Sequence, residues 1–313
     1  MSFTLTKTPF GPYTKVSVRH GETGNEITII PEMGARLNHF QVNLHGDSLD
    51  IIDGYADAHA LTQGVLAKGA LLAPFPNRVA DGHYQFNDHE YQLEINRPHE
   101  RNAIHGFMSD RVFVLESSHP NEDFYQLILQ ADCPPEEGYP FPFSMIVKYR
   151  FGGVWLEVET ELINTGKLTM PAGFGWHPYF KTSGTIANLR LTLPEVERIE
   201  VDERLIPTGK KEKFTNFAAA HPIGTTEFDT GFRLIGEGNE VQLFDEMLGL
   251  YITMTFPAID DQYQYLQIYT APSRESIAIE PMTCAANAFN NGWGLKKLMP
   301  KESLRSHFTI IVS

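Results

Sequence analysis

Apolar residues alternate with polar ones from one end of this chain to the other, a period that suits pleated strands and not helices. The clearest segments are Lys15–Arg19, Glu26–Ile30, Leu37–Leu44, Tyr125–Gln130, Ser144–Phe151, Val154–Ile163, Asn188–Leu193, Leu250–Phe256, Tyr265–Tyr269 and Phe308–Val312. Two hairpins are legible. Tyr84–Phe86 and Tyr91–Leu93 flank the turn-forming pair Asn87–Asp88, and Gly152–Gly153 joins two long strands, as primed turns require. Helix signals are confined to Asp57–Gln63 and Cys284–Ala288, with Gly64 and Gly292 as stops. The 25 Gly and 20 Pro are spread over strand ends and form no linker, so residues 1–313 are expected to form a single all-β domain, a large two-sheet sandwich.

Composition narrows the function. Apolar residues make up 42% and charged residues 20%, which fits a packed core and not a disordered chain. A formal charge of −14 disfavours nucleic acid and anionic membranes, both of which need a basic face. Two cysteines, Cys133 and Cys284, are too few for a disulfide framework, and no apolar run approaches a membrane span. Met1–Phe10 lacks the basic-then-apolar pattern of a secretory signal, so the cytoplasm is the expected location.

Four islands stand apart from the strand pattern. Ile277–Cys284 is an apolar run carrying one carboxylate, Glu280, followed by Pro281. Gly173–Phe180 carries His177 between Gly173, Gly175 and Pro178. Pro74–Gly82 holds Asn77 and Arg78, and Asn102–Phe107 holds His105. A carboxylate and an imidazole delivered at strand ends form a general base and general acid pair. Partial burial would raise the Glu280 pKa, and imidazole titrates near neutrality. Arg78 offers a fork of donors, or else a structural salt bridge to Asp81. Asp229, in Phe228–Phe232, would accept from hydroxyls or belong to an ordinary turn. Trp176, Tyr179, Phe107 and Trp293 are flat platforms for a ligand or parts of the core.

At these islands, and from the Ile27–Leu37 opening to Ser306–Ser313, the chain resembles the aldose 1-epimerase (galactose mutarotase-like) family. The resemblance implies a single β-supersandwich that interconverts the α and β anomers of a free aldohexose without a cofactor. Glu280 would be the base and His177 the acid, with His105 assisting, and Arg78, Asp229, Asn77, Trp176 and Tyr179 binding the sugar. Two departures are visible. Lys181 stands where galactose mutarotases commonly carry Asn, and Trp176 where they more often carry a small or polar residue.

No phosphate-binding loop, dinucleotide fingerprint or serine-hydrolase elbow is present. The His39/His45 and His83/His89 spacings suit zinc, but neither has the partner ligands a zinc site needs, so no metal or cofactor is expected. The expected partner is a monosaccharide, bound by a monomer or homodimer. Alternatives are a hexose-6-phosphate mutarotase, which would need Lys181 or Arg274 at the site, and a non-catalytic sugar-binding protein. A glycoside hydrolase or lyase would usually need a second catalytic carboxylate.

Overall fold

The structure is a computed structural model that describes residues 2–44, 46–182, 184–236, 240–257 and 263–313; His45, one of the zinc-spaced histidines, lies outside them. The alternating segments are strands; Leu189–Thr192 and Leu250–Thr255 are slightly shorter than expected, and Ser303–Val312 begins five residues earlier. Among the described residues they assemble into sheets of five, nine and eight strands with small two-stranded additions. The five-stranded sheet is a simple meander in sequence order, from Phe3–Phe10 to Asp47–Asp50. In the nine-stranded sheet the C-terminal strand Ser303–Val312 pairs with Trp155–Asn164 on one side and Leu250–Thr255 on the other. It therefore joins strands from distant parts of the sequence.

The eight-stranded sheet carries the chemistry. Its order is Pro207–Phe214, Val196–Val201, Asp229–Leu234, Tyr265–Thr270, Ile277–Met282, Gly175–His177 and Ala70–Leu72, with Tyr179–Phe180 also beside Ile277–Met282. Successive side chains along a strand point to opposite faces. Leu266, Ile268, Ile277, Ile279 and Phe232 enter the core, part of one buried cluster extending from Val16 to Val312. Each such side chain stabilises the fold by about 1.5–3 kcal/mol through water exclusion. The opposite face is left to Asp229, Gln267, Tyr269 and Glu280.

Local signals match the backbone, with three shifts. Asp57 caps the helix Ala58–Gln63 by accepting from the Ala60 N–H, and Gly64 ends it at φ 61°. The second helix starts later than expected, at Ala288–Asn291, because Asn287 at φ 59° breaks the turn before it. Asn87 and Asp88, at φ 49° and 62°, make the primed turn between His83–Phe86 and His89–Gln92. The second hairpin turns one residue later than expected. Its loop is Gly153–Val154, closed by the Gly152 N–H to the Trp155 carbonyl, with Gly153 at φ 87°. Third, Glu280 is not at a strand end but inside Ile277–Met282, with Pro281 continuing the strand. The Thr283 hydroxyl accepts from the Phe174 N–H at 2.9 Å and pins the segment leading into Gly175–His177.

Candidate active site

Register brings the site together. Gln267 lies directly opposite Glu280 on the adjacent strand, Asp229 opposite Tyr269, and Tyr269 opposite Ala278. These side chains share one face and floor a cavity of about 230 Å³. His177 ends its own strand beside them, its Nε2 3.4 Å from Oε1 of Glu280. Just upstream, Gly173 packs against Cys284, where a Cβ would stand 2.3 Å from its Sγ.

A second wall comes from the antiparallel pair Arg78–Ala80 and Asn102–Ile104. Asn77 and His105, at φ 58° and 70°, both occupy left-handed backbone that non-glycine residues rarely adopt. Reciprocal hydrogen bonds hold them there: His105 N–H to the Asn77 carbonyl at 3.0 Å, and Asn77 N–H to Nδ1 of His105 at 3.3 Å. Because Nδ1 accepts, the neutral ring carries its proton on Nε2. Burial, then the charges of His177, Arg78 and Arg97, hold the His105 pKa well below its usual value. His105 is a neutral N–H donor.

Arg78 is clamped on two sides, Nε donating to Oε2 of Glu100 at 2.7 Å and Nη1 to Oδ1 of Asn77 at 3.2 Å. Its Nη2 has no protein partner among the described residues. The alternative reading of Arg78, a salt bridge to Asp81, is not what forms among the described residues. Asp81 turns away to Arg101 and Arg204, because three residues along a strand and its turn do not keep two side chains on one side. Burial works against ionisation of Glu100, yet the hydrogen bond and charge of Arg78 outweigh it and hold that carboxyl below the usual range.

Electrostatically, Glu280 and His177 form the unusual part. Burial, and then the Asp229 carboxylate, push Glu280 well above the usual carboxylate range against the pull of Arg78. Burial also lowers His177, to about 3, helped by the charges of Arg36 and Arg97. The expected near-neutral imidazole is therefore not what the site builds. Desolvation favours the uncharged form of both groups, a protonated carboxyl and a neutral imidazole, and in that form the pair holds one titratable proton. Oε2 of Glu280 and Nδ1 of His177 are buried without hydrogen-bond partners among the described residues. Each orphan costs about 1–3 kcal/mol. Asp229 is exposed toward the cavity, but crowding protein still raises its pKa against Arg78 and a 2.7 Å hydrogen bond from Nε2 of Gln267.

Of the residues singled out in the sequence, Asn77, Arg78, His105, His177, Tyr179, Asp229 and Glu280 line the cavity. Tyr179 stacks on His177 with ring centroids 5.2 Å apart. Trp176 does not line it; its ring is buried against Phe308 and donates to the Gly69 carbonyl. Adjacent strand residues point to opposite faces, so His177 and Trp176 cannot share one. Phe107 packs with Phe75 and Tyr139, and Trp293 lies under Lys211. Lys181 reaches toward Asp53, and Arg274 donates to the carbonyls of Thr226 and Gly224; neither enters the cavity. Gln267, Tyr269, Arg97, Glu100, Leu66, Ala67 and Ile104, none of them a candidate from the sequence, complete the lining. Gln267 left a trace, as the amide in the otherwise apolar run Tyr265–Ile268. Among the described residues, no group of three or more His, Cys, Asp or Glu is arranged to hold a metal ion.

A β-supersandwich with this polar cavity on one sheet is a galactose mutarotase-like fold. A galactose mutarotase-like protein of Clostridium acetobutylicum superposes with a TM-score of 0.87 over 100% of this chain and 98% of that one, at 19% identity. The galactose 1-epimerase of Lactobacillus acidophilus gives 0.84 over 100% and 98%, at 15% identity. The aldose 1-epimerase family profile matches residues 15–310, and the chain belongs to that family, as an isomerase. It is 32% identical to the uncharacterized protein YihR of Escherichia coli K12 over 77% of this chain and 78% of that protein. Identity to the mouse galactose mutarotase is 28% over 56% of this chain, a match spanning about half (52%) of that enzyme.

Proposed function

We propose that this protein interconverts the α and β anomers of a free aldohexose by acid/base ring opening and closure, as one domain over residues 1–313. The observation that carries this is the Glu280–His177 pair, two buried groups 3.4 Å apart with one orphaned polar atom each, facing a cavity lined by hydrogen-bonding side chains. At about 230 Å³ the cavity is smaller than the ~300–1,000 Å³ of drug-sized sites and suits one sugar ring.

The chemistry follows from the shared proton. Shifting it from Glu280 to His177 produces a carboxylate and an imidazolium without changing the charge of the site. The carboxylate takes the proton of the anomeric hydroxyl, the imidazolium protonates the ring oxygen, and the C1–O5 bond breaks to give the open-chain aldehyde. Rotation about C1–C2 presents the other face of the carbonyl. Ring closure then returns one proton from Glu280 to O1 and the other from O5 to His177. Each group is typically worth about 10²–10⁴ in rate. His105, as a neutral donor, fixes a sugar oxygen, and Arg78 and Asp229 bind hydroxyls. Tyr179 and Tyr269 supply the flat surfaces.

A free sugar is favoured over a phosphorylated one because Lys181 and Arg274 are engaged elsewhere. Anomer exchange measured by NMR on glucose, galactose and their 6-phosphates tests the proposal. Exchange on a free hexose well above the uncatalysed rate is expected. Exchange on the phosphates alone would move the function to sugar phosphates, with Arg97 at the cavity wall as the cation responsible.

A further inference from the structure

The cavity wall that holds Arg78 is itself fixed by a residue that lines no part of the cavity. Residues 97–102 form a tight loop, closed by hydrogen bonds between Arg97 and Asn102 in both directions, 3.0 and 3.1 Å, and from Arg101 N–H to the Pro98 carbonyl. The loop presents Arg97 and Glu100 to the cavity. Behind it stands Arg204. Its Nε donates to the Glu100 carbonyl at 2.8 Å, and its Nη2 to the Arg101 carbonyl at 3.0 Å and to Oδ1 of Asn102 at 3.2 Å. Nη1 reaches Oδ2 of Asp81 at 3.2 Å, and the Arg204 carbonyl accepts from Nδ2 of the fully buried Asn102 at 2.9 Å. Arg204 is in turn held by its own turn, where Oδ1 of Asp202 accepts from the N–H groups of Arg204 and Ile206.

We propose that Arg204 is a positioning residue for the sugar site: by holding the backbone of residues 100–102 it sets the Glu100 carboxylate that orients Arg78. Two observations separate this from an ordinary surface ion pair. The donors of Arg204 go mainly to backbone carbonyls and a buried amide, whereas charge pairing alone would need only Asp81. The next link is also directional, since Glu100 meets Nε of Arg78 and leaves Nη2 free of protein partners. Without the loop anchor, Glu100 moves relative to Arg78, and binding of the sugar weakens before proton transfer does. A lysine cannot replace this fork, because its single ammonium cannot span two successive carbonyls and a side-chain amide.

The inference rests on the epimerase reading for its kinetic arm only. That arm measures anomer exchange on galactose and glucose for wild type, Arg204→Ala, Arg204→Lys, Glu100→Gln and the Arg204→Ala/Glu100→Gln double variant. Arg204→Ala and Arg204→Lys should each raise KM about tenfold with kcat within about twofold. The double variant should be no worse than Glu100→Gln, since both act through one link. Hydrogen exchange provides the second arm. The amides of Arg97 and Asn102 should exchange about tenfold faster in both Arg204 variants, while Phe143–Phe151 and Trp155–Asn164 stay protected. Unchanged exchange at residues 97–102, additive KM effects, or a wild-type KM in Arg204→Lys would each overturn the proposal. If wild type exchanges neither sugar, the epimerase reading fails on these substrates, and hydrogen exchange alone then decides the role of Arg204.

Discussion

Glu159 and Glu280 both sit inside strands and face away from the core, yet their surroundings are opposite. Glu159, in Trp155–Asn164, lies across from Lys148 on one side and His307 on the other. Nζ of Lys148 stands 2.6 Å from its Oε1 and Nη2 of Arg150 3.2 Å from Oε2. Burial opposes its ionisation, but these cations prevail and hold its pKa below the usual range. Glu280 lies across from Gln267, a neutral amide, and its nearest ionisable partner is a desolvated imidazole. Its pKa goes up instead. The same residue type in the same secondary structure is held ionised in one sheet and pushed toward its neutral form in another. Full burial beside another carboxylate, in place of two close cations, makes the difference.

The sharpest way to break that contrast is to neutralise each carboxylate. Glu280→Gln should lower kcat for anomer exchange by at least ~10³ with KM little changed, whereas Glu159→Gln should leave both within about twofold. Comparable losses in the two variants would mean that Glu280 has no special role. Substituting its partner comes next. His177→Asn should cost about 10² or more, and His105→Asn about tenfold, since His105 supplies a neutral hydrogen bond and no proton. The reverse ranking would exchange the two imidazoles.

Stability should respond with opposite signs. Glu280 has a folded pKa above its unfolded value, so its stabilising contribution is full below about pH 4.5 and is lost as pH rises through the folded value. Glu280→Gln should therefore be more stable than wild type above that pH, by about 1–4 kcal/mol, read from thermal melts at a series of pH values. Glu159 is the depressed case. Its contribution is present above the unfolded value and lost as pH falls, so Glu159→Gln should be destabilised by about 1 kcal/mol or less at neutral pH and equal to wild type in acid. Melting curves that move the same way for both variants would contradict the assignment of environments.

The smallest kinetic effect is expected at Trp176. Trp176→Phe should lose about 1–3 kcal/mol of stability through imperfect filling against Phe308, with KM unchanged. A raised KM in a well-folded Trp176→Phe variant would return that residue to the sugar site.

Much of this was legible in the sequence, and the gaps have physical causes. Alternation located the strands because each sheet buries one face. The Gly- and Pro-flanked islands located Glu280, His177, His105 and Arg78 because such backbones are costly without a purpose. Pairing was not legible. Gln267 and Tyr269 join the site only because Tyr265–Thr270 is in register with Ile277–Met282, and nothing local to either strand states that register. Arg97 and Glu100 belong to a loop whose position depends on Arg204, about a hundred residues downstream. The error at Trp176 was avoidable, since alternation already sets it opposite His177. The error over His177 was not, because its lowered pKa comes from burial by elements distant in sequence.

The pH dependence of kcat/KM for galactose anomer exchange bears most directly on the one-proton pair, since it reports ionisations of the free enzyme. Activity requires the pair to hold a single proton. Its acid limb must therefore come from adding a second proton at His177, held at about 3, and no acid limb should be centred at 6.5 or at 4.5 while circular dichroism shows the protein folded. Its alkaline limb should come from Glu280, at a value well above 4.5. An acid limb centred near 4.5, where an ordinary glutamate base would be protonated, would contradict the account.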